Sequence, residues 1–452
     1  MSQLSPKVTS LDKLPVLILI GIVEALCPHC TPQGASYEDG PRVCALAALA
    51  RCSWTLNNVA TSTLYHQPLP YPPLSLIRTL SQKPELCRHV KNLYCDDDPG
   101  DILDELTDDN KTTLLQLAAK YNSASAFPSP WDDGTETTLT ELLEEETAVF
   151  LDGLLIAMCP NIEDLFVSLG YGARFPFSLP GTLPRLKHLH IAHADTELGT
   201  DVHRARDLIA AAPNLESFWG FMVSRVSDAL TMPFANLREL RFMYSCFCRA
   251  TLRAVLRSCP KLESFAYEAG GAVAGDDQFS PRSAQIELIR YAPNLQYLEL
   301  VMCNGEGLWA WESDNDYDDG GGGDGGFDID ERKRFGKSGL SSMSSLQFLK
   351  IDAYCLRSGW KSEEPESLIA MLPSSVREVT VVCRQDEEGL ESFPQVLLKL
   401  AEAATSLFPH LQVITFEGWK MKNDLKQKTW NSDKERQAFR DKTGVDVRHV
   451  RR

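Results

Sequence analysis

One short phrase keeps returning along this chain: small-Pro-x-Leu-x-x-Leu-x-apolar. It is clearest at Ala212-Pro213-Asn214-Leu215, at Cys259-Pro260-Lys261-Leu262-Glu263-Ser264-Phe265 and at Ala292-Pro293-Asn294-Leu295-Gln296-Tyr297-Leu298-Glu299-Leu300. Looser copies lie upstream (Val90/Leu93/Cys95, Ile162/Leu165/Val167, Leu186/Leu189/Ile191), between (Leu237/Leu240/Phe242) and downstream (Leu346/Leu349/Ile351, Val376/Val379/Val381, Leu411/Ile414/Phe416). Self-similarity at roughly 20–35 residues marks a solenoid, because one such unit cannot cover its own apolar face and stacked units bury a continuous core. The last two members of each triplet sit two apart, which puts them on one face of a short strand and their neighbours on the other.

Between the strands the pattern turns helical. Asp207–Ala212, Thr251–Cys259 and Ser283–Ala292 carry apolar residues three and four apart, the amphipathic-helix spacing. Each closes on a proline, which pushes the residue before it out of helical geometry. The predicted fold is therefore α/β: a leucine-rich-repeat solenoid over residues 80–419, with short parallel strands alternating with helices. It is an irregular version. Long gaps separate Val90 from Ile162 and Leu295 from Leu346, and the asparagine that usually closes such a strand segment is mostly missing. An ordinary α/β domain with short parallel strands is the alternative.

The formal net charge of −17 argues against a general binder of phosphate backbone, which needs Lys and Arg, so no nucleic acid is expected as partner. Many of the 13 cysteines fall at apolar repeat positions, including Cys95, Cys159, Cys259 and Cys383, where free cysteine packs as a small hydrophobe. That suits a reduced compartment, cytoplasmic and/or nuclear. The apolar run Leu14–Val23 has the look of a secretory signal core, but Asp12, Pro15 and Glu24 interrupt or bound it and no small-x-small site follows. The run is also too short to span a bilayer, so no membrane association is expected.

The same run reads differently as a docking helix. Leu14-Pro15-Val16-Leu17-Ile18-Leu19-Ile20-Gly21-Ile22-Val23-Glu24-Ala25-Leu26, followed by Ala45–Trp54, Val59-Ala60 and Leu64-Tyr65, resembles an F-box over about residues 12–66. Leu17 stands where the family has an acidic residue, and 27–41 is an inserted loop where it has a tight turn. An F-box ahead of leucine-rich repeats is a recurring order. The resemblance implies docking on the Skp-type adaptor of a cullin ubiquitin ligase core through Leu14, Pro15, Ile18, Ile22, Leu46, Leu49 and Trp54, with a protein substrate held by the repeats. The plain alternative is a helical cap on the first repeat, since solenoid ends need caps.

Other motifs fall short. Cys27-Pro28-His29-Cys30 is one close pair, but a structural zinc site built from two close pairs finds no second among Cys44, Cys52 and His66, so neither metal nor cofactor is expected. Gly336-Lys337-Ser338 lacks the glycine a phosphate loop needs, with Glu331 there instead. Asp314–Gly320 lacks the glycine and glutamate of a calcium loop and belongs to a Gly/Asp-rich insertion at 312–330. His188, His190 and His193 have no further ligand at suitable local spacing except Asp195, and surface histidines on a repeat strand are the expectation. No catalytic constellation stands out, and the chain is expected to be non-enzymatic. Residues 420–452 form a basic carboxyl-terminal tail.

If the strands line one face of the array, the residues between the buried triplet members point outward. Phe166, His188, His190, Trp219, Arg241, Tyr297, Glu299, Phe348 and Lys350 are then the candidate substrate-binding residues, because exposed aromatics beside arginine anchor protein interfaces.

Overall fold

The computed structural model describes residues 10–31, 40–68, 73–95, 106–121, 140–169, 180–193, 199–227, 232–270, 279–302, 335, 339–356, 366–383, 393–418 and 433–451. Most of the inserted loop at 27–41 and all of the insertion at 312–330 lie outside these residues. The described chain divides into two compact units, residues 1–189 with 207–215 and residues 190–206 with 216–452.

The first unit opens with three helices, α1 (Val16–Leu26), α2 (Gly40–Cys52) and α3 (Trp54–Leu64), followed by α4 (Pro73–Gln82) and strand β1 (Asn92–Cys95). Ser53 caps α3 by accepting from the Leu56 amide at 3.2 Å, the usual use of a short hydroxyl at a helix start. Val23, Cys27, Leu46 and Ala60 form the core of this helical module. The long sequence gap before the next strand holds helices α5 (Asp108–Tyr121) and α6 (Thr140–Met158). Strand β2 (Asp164–Leu169) then pairs with β1 in parallel, Leu93 beside Leu165 and Cys95 beside Val167. The break between the units falls within β3 (His188–His193).

The second unit continues with β4 (Thr200–Asp201), a short parallel partner of β6. Helix α7 (Arg206–Ala211), nearly all of which belongs to the first unit, comes before β5 (Ser217–Phe221), β6 (Val223–Arg225) and β7 (Glu239–Ser245). Then come α8 (Arg249–Ser258), β8 (Ser264–Ala269), α9 (Pro281–Tyr291), β9 (Tyr297–Val301), β10 (Phe348–Asp352), α10 (Glu366–Met371), β11 (Glu378–Cys383), α11 (Phe393–Leu407), β12 (Val413–Gly418), α12 (Asp433–Thr443) and β13 (Asp446–Arg451). Strands β5, β7, β8, β9, β10, β11, β12 and β13 pair side by side in chain order, all parallel. This is the rung-upon-rung arrangement of a leucine-rich repeat rather than the shuffled order of an ordinary α/β sheet.

Two buried columns run across these strands. One is Phe218, Leu240, Phe265, Leu298, Leu349, Val379, Ile414 and Val447; the other is Phe242, Tyr267, Leu300, Ile351, Val381 and Phe416. Gly220 heads the second column because a Cβ there would come within 2.9 Å of the Phe242 ring. The recurring proline phrase is a turn. The residue before proline accepts the amide of the leucine three places on, at 3.2 Å from Ala212 to Leu215, 3.2 Å from Cys259 to Leu262 and 3.3 Å from Ala292 to Leu295. Proline at the second position presets the backbone for such a turn.

A second backbone device repeats with the turn. One carbonyl per repeat accepts two amides from the next: Glu216 from Arg238 and Glu239, Arg238 from Glu263 and Ser264, Glu263 from Gln296 and Tyr297, Gln296 from Gln347 and Phe348. In the first unit Lys91 serves Glu163 and Asp164 in the same way, and the His66 carbonyl serves Lys91 and Asn92 at 2.9 and 2.8 Å. His66, just past α3, thus takes the place of a rung that precedes β1.

Two domain boundaries need correction. The helical module is not set apart from the array at 66–80, because its last residue is hydrogen-bonded into the first strand and both belong to one compact unit. Nor does the array end at 419. The end of the expected basic tail forms α12 and then β13, which pairs with β12 over Asp446–Arg451, burying Val445 and Val447. Among the described residues no helix is long and apolar enough to cross a membrane.

Candidate functional site

The outward-facing residues of the second unit gather on one strand face because the register is unbroken there. Trp219, Arg241, Ala266, Glu299 and Lys350 occupy successive strands at one level; Ser217, Glu239, Ser264, Tyr297 and Phe348 occupy the level beside it. Strands about 4.8 Å apart let each side chain reach its neighbour. The Arg241 guanidinium lies 4.5 Å from the Trp219 ring centre, and His190 meets the same indole edge-on at 4.7 Å. The indole Nε1 donates to Glu239 Oε1 at 3.3 Å, and Ser217 Oγ donates to Glu239 Oε2 at 3.3 Å. Arg241 Nε is buried without a hydrogen-bond partner among the described residues.

Further along, the Tyr297 hydroxyl donates to Glu299 Oε2 at 2.9 Å, and the Lys350 ammonium bridges Glu299 at 2.9 Å and Glu417 at 3.3 Å. Burial pushes the Glu299 carboxyl up, but Lys350, Tyr297 and Arg241 outweigh it and hold the group below its ordinary value of 4.5. Burial, and then the Glu299 charge, raise the Tyr297 phenol. The predicted residues of this unit are therefore brought together, but as a half-buried, mutually bonded layer. Phe348 is half-buried, and Glu299 is 4 % exposed. Two exposed aromatics at the strand ends, Phe221 and Tyr244, lie 5.4 Å apart and escape a sequence reading because both sit beyond the triplets. In the first unit Phe166 stacks on Tyr94 at 4.0 Å, and His188 is exposed.

The residues assigned to adaptor docking divide. Leu46, at 1 % exposure, belongs to the module's own core, and Leu14, Ile22 and Leu49 are half-buried. Pro15, Ile18 and Trp54 are exposed, and so are Val16 and Leu17, with Leu17 and Trp54 both at 81 %. The Cys27 thiol at the end of α1 donates to the Thr63 carbonyl near the end of α3 at 3.8 Å. Leu17 lies in the first turn of α1 and Trp54 opens α3. Leu17 was visible in the sequence only as a departure from the F-box pattern.

At the other end of α1 a second cluster forms. Cys27, His29, Cys30 and His66 each offer one ligand atom within 4.8 Å of all the others. His66 Nδ1 lies 3.8 Å from Cys27 Sγ and 3.4 Å from Cys30 Sγ; His29 Nδ1 lies 3.7 Å from Cys30 Sγ. Burial, and then the charges of His29, Lys91 and His89, push His66 down to about 4, while burial and the neighbouring Cys27 push the Cys30 thiol up to about 12. The sequence reading sought a second close pair and so passed over a ligand lying inside the first pair and another 36 residues beyond it.

No protein-family model matches the chain, and no curated protein does. Among solved structures, an internalin (inlF) from Listeria monocytogenes str. 4b F2365 aligns over 66 % of this chain and 69 % of its own, at 11 % identity and a TM-score of 0.27. Human 5T4 (Wnt-activated inhibitory factor 1, trophoblast glycoprotein) aligns over 57 % and 71 %, at 12 % identity and the same TM-score of 0.27. Likeness at this level carries no argument, and the leucine-rich-repeat architecture rests on the strand order and register given above.

Proposed function

We propose that this chain is a non-catalytic recruiting subunit of a cullin-type ubiquitin ligase, acting in the cytoplasm or nucleus. Its helical module docks on a Skp-type adaptor through Pro15, Val16, Leu17, Ile18 and Trp54, and the strand face around Trp219, Arg241, Tyr297 and Lys350 holds a protein substrate. The observation that carries this reading is the exposed apolar first turn of α1, together with an exposed tryptophan at the start of α3. A helical cap has reason to bury its apolar residues, whereas Val16, Leu17 and Ile18 are consecutive and at least half exposed. Contiguous exposed apolar surface marks a protein-binding site, and a protruding tryptophan is a common anchor. Calorimetric titration with a purified Skp-type adaptor tests it. Micromolar or tighter binding is expected, with a loss of more than about 30-fold on Leu17→Asp or Trp54→Ala, the scale of a single hot-spot residue.

A scaffold reading, with the module acting only as a cap, is favoured by the His66 carbonyl standing in for a rung ahead of β1. It expects the strand face to bind a protein and the adaptor not to bind at all. Absence of adaptor binding by the folded wild-type chain would decide for the scaffold.

A further inference from the structure

We infer that Cys27, His29, Cys30 and His66 bind one zinc ion in a closed, four-coordinate structural site that clips the helical module to the first strands of the array. The distances suit the ion. Zinc holds thiolate sulfur at about 2.3 Å and imidazole nitrogen at about 2.0 Å, so tetrahedral sulfur and nitrogen donors stand about 3.5 Å apart. The sulfur–nitrogen separations here are 3.4, 3.7 and 3.8 Å. Two sulfurs and two nitrogens in tetrahedral array select zinc among the common divalent ions. With four protein ligands no position stays open for a substrate, which makes the role structural. On binding, the two thiols release their protons to solvent and the ion takes both thiolates, while the imidazoles ligate in neutral form.

The surroundings match a built site. Cys27 is the residue that ends α1, and its side chain is fully buried. Cys30 lies at the exposed rim. His29 turns Nδ1 toward Cys30 and Nε2 toward Glu163 Oε2, at 4.0 Å. Glu163 is itself ion-paired with Lys91. A carboxylate behind a ligating histidine orients the ring and strengthens it as a donor. His66 is the residue whose carbonyl receives the Lys91 and Asn92 amides. One ion would therefore tie together the end of α1, the turn after it, and the backbone acceptor on which β1 is hung.

The test is the metal content of the full-length chain, purified under reducing conditions without a metal-affinity step. About one zinc per chain is expected. Cys30→Ser, at an exposed position outside the core, should drop it at least tenfold with the circular dichroism unchanged. Cys44→Ser, an exposed thiol outside the cluster, should leave it unchanged. Cobalt in place of zinc should give tetrahedral visible bands with thiolate charge transfer, and chelation should lower the melting temperature of the wild type but not of Cys30→Ser. Folded wild-type chain that takes up no zinc overturns the inference. So does a full equivalent of zinc retained by Cys30→Ser, or a Cys27–Cys30 disulfide in the freshly purified protein. If Cys30→Ser fails to fold, the wild-type stoichiometry and cobalt spectrum still decide.

Discussion

At the scale of single residues, the buried charges of the second unit set the most sensitive positions. The Glu287 carboxylate on α9 is 1 % exposed and accepts from Arg249 at 2.8 Å and from Arg253 at 3.1 Å, both on α8. Removing one member of a buried pair strands the other in low dielectric. The arginines here keep some contact with water, so Glu287→Gln should cost about 2–3 kcal/mol, at the low end of that class, read from the urea midpoint. Glu299 makes stability depend on pH. Its carboxylate is held below the ordinary value of 4.5 when folded, so its contribution is complete above that value and is lost as pH falls through the folded one. Glu299→Gln should lose that contribution near pH 7, change stability little at pH values where the carboxyl is already protonated, and so flatten the acid limb of the stability curve below pH ~4.5. Urea titrations at several pH values check this, and an acid limb as steep as in the wild type would refute it.

At the scale of elements, the strands are the part most directly written in the triplets. Every triplet from Leu237 to Leu411 places its last two members, both buried, on a strand; the residue between them is also buried at Ala266 and Glu299. Leu298 sits mid-column between Phe265 and Leu349, where rigid neighbours cannot close a gap. Leu298→Ala should therefore destabilise by about 2–5 kcal/mol in urea melts. β13 escaped the pattern because its segment, Asp446–Arg451, is rich in charge and carries no leucine. Only its pairing with β12 makes it a strand. Deleting residues 433–452 should leave the backbone of β12 as an unpaired edge and speed amide hydrogen exchange across Val413–Gly418, as mass spectrometry would show. Unaltered protection there would mean β13 contributes nothing to the edge.

At the scale of the whole molecule, the proposed function divides between two surfaces. Exposed residues contribute little to folding, so Leu17→Asp and Trp54→Ala should shift stability by no more than about 0.5 kcal/mol while abolishing adaptor binding. Trp219→Ala combined with Arg241→Ala should leave adaptor binding intact and reduce capture of the substrate protein. Quantitative co-purification, with each variant compared against the wild type, separates the two. Loss of both kinds of binding in either variant would point to a folding defect instead.

Taken alone, the sequence pointed to a stack of parallel strands, placed its rungs from Leu93 to Phe416 and assigned the two faces of each strand there. Each of these follows from local periodicity, and a strand's alternation of faces is a property of the backbone itself. Whether an outward side chain is available is a matter of neighbours, and only the tertiary structure decided it. Arg241 leans on Trp219, Lys350 is held between two glutamates, and Leu46 turned inward while Leu17 was left bare. The same holds for His66. It is remote in sequence from Cys27 and Cys30, and it meets them because the last turns of α1 and α3 pack side by side ahead of the first strand.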